Sequence, residues 1–219
     1  MTATAALQRL LTWLSPAFPV GAFAWSAGLE TAIAGRAVTD SASLQNWLSG
    51  ALAHGGIRMD AIFLAQAWRA VEAADLAELA ALYLALVPSA ERHAETTVMG
   101  DAFLIAAQTW PSEVFARLPT PCPYPIAVGA VAAAHDIALG DTLIALLTAI
   151  VHGQISVAVR LVPLGQTAGL KVMAALEPEI AALAAAAATA TLDDIGGIAY
   201  AADIAQMRHE TLQPRIFRS

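Results

Sequence analysis

The stretch Leu14–Glu30, LSPAFPVGAFAWSAGLE, constrains the fold most, with two prolines, two glycines and three aromatic residues in seventeen positions. Pro16 and Pro19 each fix their own φ and push Ser15 and Phe18 away from helical geometry. Gly21 supplies a backbone free to turn or to let another chain come close. A helix is therefore expected to end near Leu14, an irregular elbow to follow, and a second helix to start around Phe23–Ser26. Phe18, Phe23 and Trp25 are large apolar groups on or beside that elbow, where they plug a core or anchor a partner.

Elsewhere the apolar residues repeat at helical spacing. Leu7, Leu10, Leu11 and Leu14 form one stripe, and Leu29 and Ile33 form another that Gly35 ends. Asp40, Ser41 and Ser43 offer caps for a third helix carrying Leu44, Trp47 and Leu48. His54-Gly55-Gly56 is a break before a helix over Ile57–Val71. Asp75 is expected to cap a fifth segment, and Ser89 a long one running through Gln108. LPTPCPYP (Leu118–Pro125) carries four prolines in eight residues and is expected to be an extended surface loop holding an unpaired Cys122. Core helices are expected over Ile126–Leu139 and Thr142–Val162. A further segment over Ala168–Thr189 is expected to be interrupted at Glu177-Pro178, and a last helix to span Ile198–Glu210. Val/Ile/Thr alternation bounded by turns is missing. The expectation is an all-α, single-domain bundle of about eight to ten helices over residues 1–219.

Hydrophobic residues make up 58% of the chain and charged ones 13%, against roughly half and a quarter in ordinary globular domains. The surplus beyond a deep core suggests surface that meets another protein. A net charge of −7 argues against nucleic acid as a partner. One cysteine allows no intrachain disulfide and fits a reducing compartment. With no signal-peptide pattern at the N-terminus, a cytoplasmic location is expected. Thr142–Val159 is uncharged and eighteen residues long, but His152, Gly153, Gln154 and Ser156 make it a buried core helix rather than a membrane span.

Motifs for catalysis are missing: there is no P-loop, no GxGxxG opening a helix after a strand, and no GxSxG. His54, His93, His135, His152 and His209 never pair at the i, i+4 spacing of two metal ligands. No catalytic, cofactor or metal residue is therefore assigned, and the chain is read as an interaction protein, not an enzyme. The competing reading is a small helical enzyme with Glu91, Glu95, His152 and Arg160 lining a pocket. Glu30, directly after the elbow, is expected to make a polar contact with a partner or with a terminal arginine. In the final segment, Arg208, Arg215 and Arg218 alternate with Ile216 and Phe217 around Pro214. Apolar anchors with forked guanidiniums suit a groove on a partner. Docking on the chain's own core, or ordering only on binding, are the alternatives.

Two motifs carry a resemblance. Ser15-Pro16-Ala17-Phe18-Pro19-Val20-Gly21-Ala22-Phe23 followed by Ser26-Ala27-Gly28-Leu29-Glu30 resembles the N-terminal signature of the urease accessory protein UreF family. Arg208–Ser219, RHETLQPRIFRS, resembles that family's tail, usually close to RHETQYSRLFRS. Weaker echoes are Glu91 and Glu95 ahead of Met99-Gly100, and Arg160 with Pro163-Leu164-Gly165-Gln166. Ala27, and Leu212-Gln213-Pro214, depart from the pattern. The resemblance implies an all-α, usually dimeric factor that bridges the UreD/UreH accessory protein and the GTPase UreG and assists nickel insertion into apo-urease. GTP hydrolysis would be modulated here and catalysed by UreG. It also implies that the tail, residues 211–219, contacts UreD/UreH. The partner-binding candidates are Phe18, Phe23, Trp25, Glu30, Arg208, His209, Glu210, Arg215, Ile216, Phe217 and Arg218.

Overall fold

The computed structural model describes residues 2–219, and among them it contains ten α-helices and no strand. The all-α expectation holds. α1 (Ala3–Trp13) stops at Leu14, one residue before the first restricted position. Of its stripe, Leu10 is buried and Leu14 half-buried, whereas Leu7 and Leu11 stand 58% and 67% exposed; Trp13, outside the stripe, is buried.

The second helix starts later than expected. A single 3-10 turn, Ala22–Ala24, follows Gly21, and α2 spans only Leu29–Ala34. Trp25 between them is extended, and Ala27 and Gly28 both take positive φ, +50° and +79°. Gly21 also has positive φ, yet a Cβ there would meet only open space. The close approach falls at Gly28 instead, where a Cβ would lie 2.6 Å from the main-chain nitrogen of Gln206.

α3 (Ser41–His54) opens with the expected Asp40 cap, and Asp40 and Ser43 each bond the other's main chain. α4 (Gly56–Arg69) follows at once. α5 (Ala73–Leu86) begins two residues ahead of Asp75, which lies in its first turn. α6 (Ala90–Ala107) is capped by Ser89, whose hydroxyl accepts from the Arg92 amide.

The proline-rich stretch is not a surface loop. Cys122 is fully buried, with its thiol pushed up to about 12 by burial and by the nearby Asp101 carboxylate. The segment lies across α6. Cys122 N–H donates to Asp101 (3.0 Å) and Tyr124 N–H to Thr96 (3.1 Å). Gly100 makes this possible, since a Cβ there would sit 1.8 Å from the Cys122 carbonyl oxygen. Prolines forbid a helix but leave an extended segment free to bury itself when its amides find acceptors.

α7 (Tyr124–Ala134) opens with Pro125 in its first turn, where no amide is needed. α7 presses on α4 at Gly129, where a Cβ would lie 2.4 Å from the Leu64 carbonyl. α8 (Leu139–Leu161) has the length and apolarity to cross a membrane, but half of its most apolar stretch is buried inside the bundle. α9 (Gln166–Ala187) is unbroken, contrary to the expected interruption at Pro178. A proline inside a helix costs about 3 kcal/mol. Leu176, Ile180 and Ala184, buried on one face on either side of it, hold the two halves in line. α10 (Tyr200–His209) returns the chain to the elbow.

Candidate functional site

α10 packs on α2 and α6, and the last residues then lie back across the elbow, so the two ends of the sequence form one site. Main-chain bonds fasten the tail. Arg218 N–H donates to Ala24 O and Ser26 N–H to Ser219 O, both at 2.8 Å. The Ser26 hydroxyl donates to the same oxygen, and the Ala27 amide donates to the Ser219 hydroxyl at 3.1 Å. Ser26 and Ser219 have no exposed surface.

Glu30 is the centre of the site. Its carboxylate accepts from the successive amides of Ile216 (2.7 Å) and Phe217 (3.0 Å) and faces His209 Nε2 at 2.9 Å. Burial alone would raise this carboxyl. The bonds from His209, Phe217 and Ile216 outweigh it and hold the group below the ordinary carboxylate value. The other ring nitrogen of His209, Nδ1, lies 2.7 Å from Glu91 Oε2, and the imidazole is fully buried. Arg215 donates to Glu91 Oε1 at 2.6 Å, and Glu210 accepts from the Ala90 amide at 3.1 Å, closing the first turn of α6. Two cations therefore rest on aromatic faces. Arg218 lies 4.6 Å from the Trp25 ring centre and Arg160 5.8 Å from that of Phe217.

The sequence-derived candidates fall into three groups. Trp25, Glu30, His209 and Phe217 are buried and clamp the tail. Phe23 and Ile216 project from the same region, 71% and 76% exposed, and the Arg208, Glu210, Arg215 and Arg218 side chains are also open to solvent. Phe18 is set apart, half-buried against Phe103 and Trp110. The docked tail is the own-core alternative of the sequence reading.

Beneath the tail lies a polar network that the sequence reading did not assemble. Arg92 bonds Asp60 at 2.5 Å and Glu95 at 3.2 Å, and the Tyr83 hydroxyl donates to Asp60 at 2.6 Å. Burial pushes up the Glu95 carboxyl, opposed by Arg92, and its Oε2 lies 3.5 Å from the Ser219 hydroxyl. One signal was visible: Asp60 interrupts an otherwise apolar run, Met59 to Leu64. The network floors a cavity of about 280 Å³ between the elbow, α3, α8 and α10. Glu95, His152 and Arg160 of the enzyme alternative line this cavity, but Glu91 does not, being held by His209 and Arg215. Among the described residues, no three His, Cys, Asp or Glu side chains converge as metal ligands.

The UreF family model matches residues 38–177. A Urease accessory protein UreF from Rhodopseudomonas palustris is 52% identical over 223 aligned residues, covering 98% of this chain and 94% of that protein. Its namesake from Rhizobium etli is also 52% identical, covering 98% and 96% respectively. Urease accessory protein UreF 1 from Brucella canis is 46% identical, covering 99% and 95%.

Proposed function

The chain belongs to the UreF family, and on that premise we propose that it is a urease maturation factor working through protein contacts rather than catalysis. It bridges a UreD/UreH-type accessory protein and a UreG-type GTPase in the cytoplasm and assists nickel insertion into apo-urease. It modulates GTP hydrolysis, for which the sequence holds no phosphate-binding loop of its own. Exposed Leu7 and Leu11, one turn apart on α1, support its acting as a homodimer.

The observation that carries this reading is the division of labour at the tail. Trp25, Glu30, His209 and Phe217 are spent inside the chain and build a platform. Phe23 and Ile216, with the exposed arginines around them, are the groups this platform offers to the UreD/UreH-type partner. Large apolar side chains left this exposed beside forked guanidiniums have the composition of interface hot spots.

The test is co-purification of the full chain with its UreD/UreH-type partner. Phe23→Ala and Ile216→Ala should each weaken capture while the circular dichroism stays that of the parent. Loss of a hot-spot side chain costs at least about 2 kcal/mol, roughly thirtyfold in affinity. Undiminished capture by the double variant would remove this face from the interface.

A further inference from the structure

The cavity between the elbow, α3, α8 and α10 holds charge that the tail platform does not use. Its walls are apolar, with Val20, Trp25, Leu48, Leu146 and Val157 all buried around it, and its floor is Asp60, Arg92 and Glu95. The two carboxylates of the floor are unequally served by the one guanidinium between them. Asp60 takes the shorter bond from Arg92, 2.5 Å, on Oδ2 and the Tyr83 hydroxyl, 2.6 Å, on Oδ1. Glu95 meets Arg92 through Oε1 at 3.2 Å, and its Oε2 reaches only the Ser219 hydroxyl, at 3.5 Å. That separation is longer than an ordinary O–H···O bond. The remaining charged lining groups are Asp203 of α10 and Arg160 of α8, which lies over the Phe217 ring. Three carboxylates thus face two guanidiniums. Burial pushes the Glu95 carboxyl up against the pull of Arg92, as befits a charge the fold leaves incompletely compensated.

We propose that this cavity is a binding site for an organic cation, a primary ammonium on a short apolar stem, with its head on Glu95 and its stem against the apolar walls. The choice of head follows from the geometry. A guanidinium pairs best with both oxygens of one carboxylate, and one oxygen of Glu95 is already taken by Arg92. An ammonium is a compact point charge whose donors rotate to meet a single oxygen. A volume of about 280 Å³ lies at the small end of ligand cavities, so it admits one short chain and no nucleotide or large cofactor. Phe23, His152 and Gly153 line the same cavity and are exposed, so it opens to solvent beside the face offered to the partner. A free alkylamine and a lysine side chain of that partner carry the same chemistry, and the experiment separates them.

The probe is n-pentylamine, titrated into the full chain without partners and followed by amide and indole chemical shifts near pH ~8, where alkylamines are charged. Neutral 1-pentanol and anionic pentanoate are the controls. Pentylamine should perturb Glu95, Thr96 and the Trp25 indole, all cavity residues, and bind at least about tenfold more tightly than either control, the effect of one charge-assisted bond. Glu95→Gln should abolish that preference. Gly153→Leu puts a side chain where a Cβ now meets open space and should weaken amine and alcohol alike. Absence of saturable binding, binding elsewhere on the chain, equal affinity for amine and alcohol, tighter binding of pentanoate, or a preference that survives Glu95→Gln would each overturn the proposal. Should Glu95→Gln fail to fold, the ranking of the three ligands on the parent and the Gly153→Leu result decide alone. Capture of the UreD/UreH-type partner then identifies the source. Capture weakened both by pentylamine and by Glu95→Gln assigns the cation to a lysine of the partner, and capture indifferent to both assigns it to a free amine. Amine binding is read on the free chain, so its failure is separate from failure of partner capture.

Discussion

Gly28→Ala is the sharpest perturbation of the elbow. Two costs combine at this position. Its φ of +79° lies in the left-handed region, which costs a residue with a Cβ about 1–2 kcal/mol. The added methyl would also lie 2.6 Å from N and 2.9 Å from Cα of Gln206. Those are main-chain atoms, so no side-chain rotation relieves the clash and α10 must move away. Overpacking of this kind costs about 1–3 kcal/mol. The sum, about 2–5 kcal/mol, falls on the docking of α10 and the tail, weakening it roughly thirtyfold to several thousandfold. Limited proteolysis and amide exchange should find residues 200–219 opened while α3, α4 and α7 keep their protection. Gly21→Ala is the control. Its φ is +73°, yet nothing lies within 4 Å of the new methyl, so only the conformational cost of about 1–2 kcal/mol applies and α10 should stay docked. Parent-like exchange in Gly28→Ala, or equal opening in both variants, would refute the view that Gly28 exists to seat α10.

Phe217→Ala removes a ring that is 4% exposed and should weaken tail docking by about 3–5 kcal/mol; its exposed neighbour Ile216→Ala should shift the free chain's stability by no more than about 0.5 kcal/mol. Equal melting losses in the two would contradict the assigned roles. Glu30, held below its ordinary value of 4.5 in the docked state, stabilises docking above that value, and the stability is lost as pH falls through the docked value. Exchange at Ile216 and Phe217 should therefore accelerate in acid, and Glu30→Gln should remove that acid limb. Glu95, whose carboxyl is raised by burial, works the other way, contributing most to the fold at low pH, so Glu95→Gln should leave the acid limb in place. Arg92→Met strands buried Asp60 and Glu95 and should cost the whole fold about 3–5 kcal/mol, against about 1 kcal/mol for Tyr83→Phe, both measured by denaturant melts.

The helices were legible because their signals are local. Asp40 and Ser89 cap the helices they were expected to cap, and Leu14 ends the first helix where Pro16 requires it. What the sequence could not reveal depends on contacts between distant segments. Gly21 and Gly28 look alike in a string of letters; only the passage of α10 over one of them separates a turn glycine from a packing glycine. Prolines in LPTPCPYP announced the loss of helix but not the burial of Cys122, which needs Gly100, twenty-two positions earlier, to clear a path. Pro178 promised a break, and the packing of α9 prevented it. At the site, the sequence reading named several of the residues that the fold gathers there, but not their arrangement. Glu30 was paired in expectation with a partner or a terminal arginine, whereas it bonds His209 and two tail amides.

That arrangement changes what a truncation means. A tail that hung free in solution would be removable without consequence for the fold, and loss of partner capture would then report the tail's own contacts. Here, cutting away residues 211–219 uncovers the Trp25 ring and takes from Glu30 both of its amide donors. It also takes Arg215 from Glu91, so that both carboxylates beside His209 lose their tail donors, and a buried acceptor left unpaired costs more than its pairing contributed. The truncated chain should therefore melt lower as well as bind worse, and the two effects cannot be separated by that experiment alone. Substitutions at Phe23 and Ile216 separate them, because these side chains touch the solvent more than the core. Capture lost at an unchanged melting temperature marks a residue that meets the partner. Capture lost in proportion to melting marks one that holds the platform in place. Arg218 is the informative intermediate: its guanidinium lies over Trp25 but its side chain is exposed. Arg218→Lys keeps the charge over the ring and loses the flat bidentate fork. Parent-like melting with weakened capture would assign that fork to the partner's carboxylates rather than to the tryptophan beneath it.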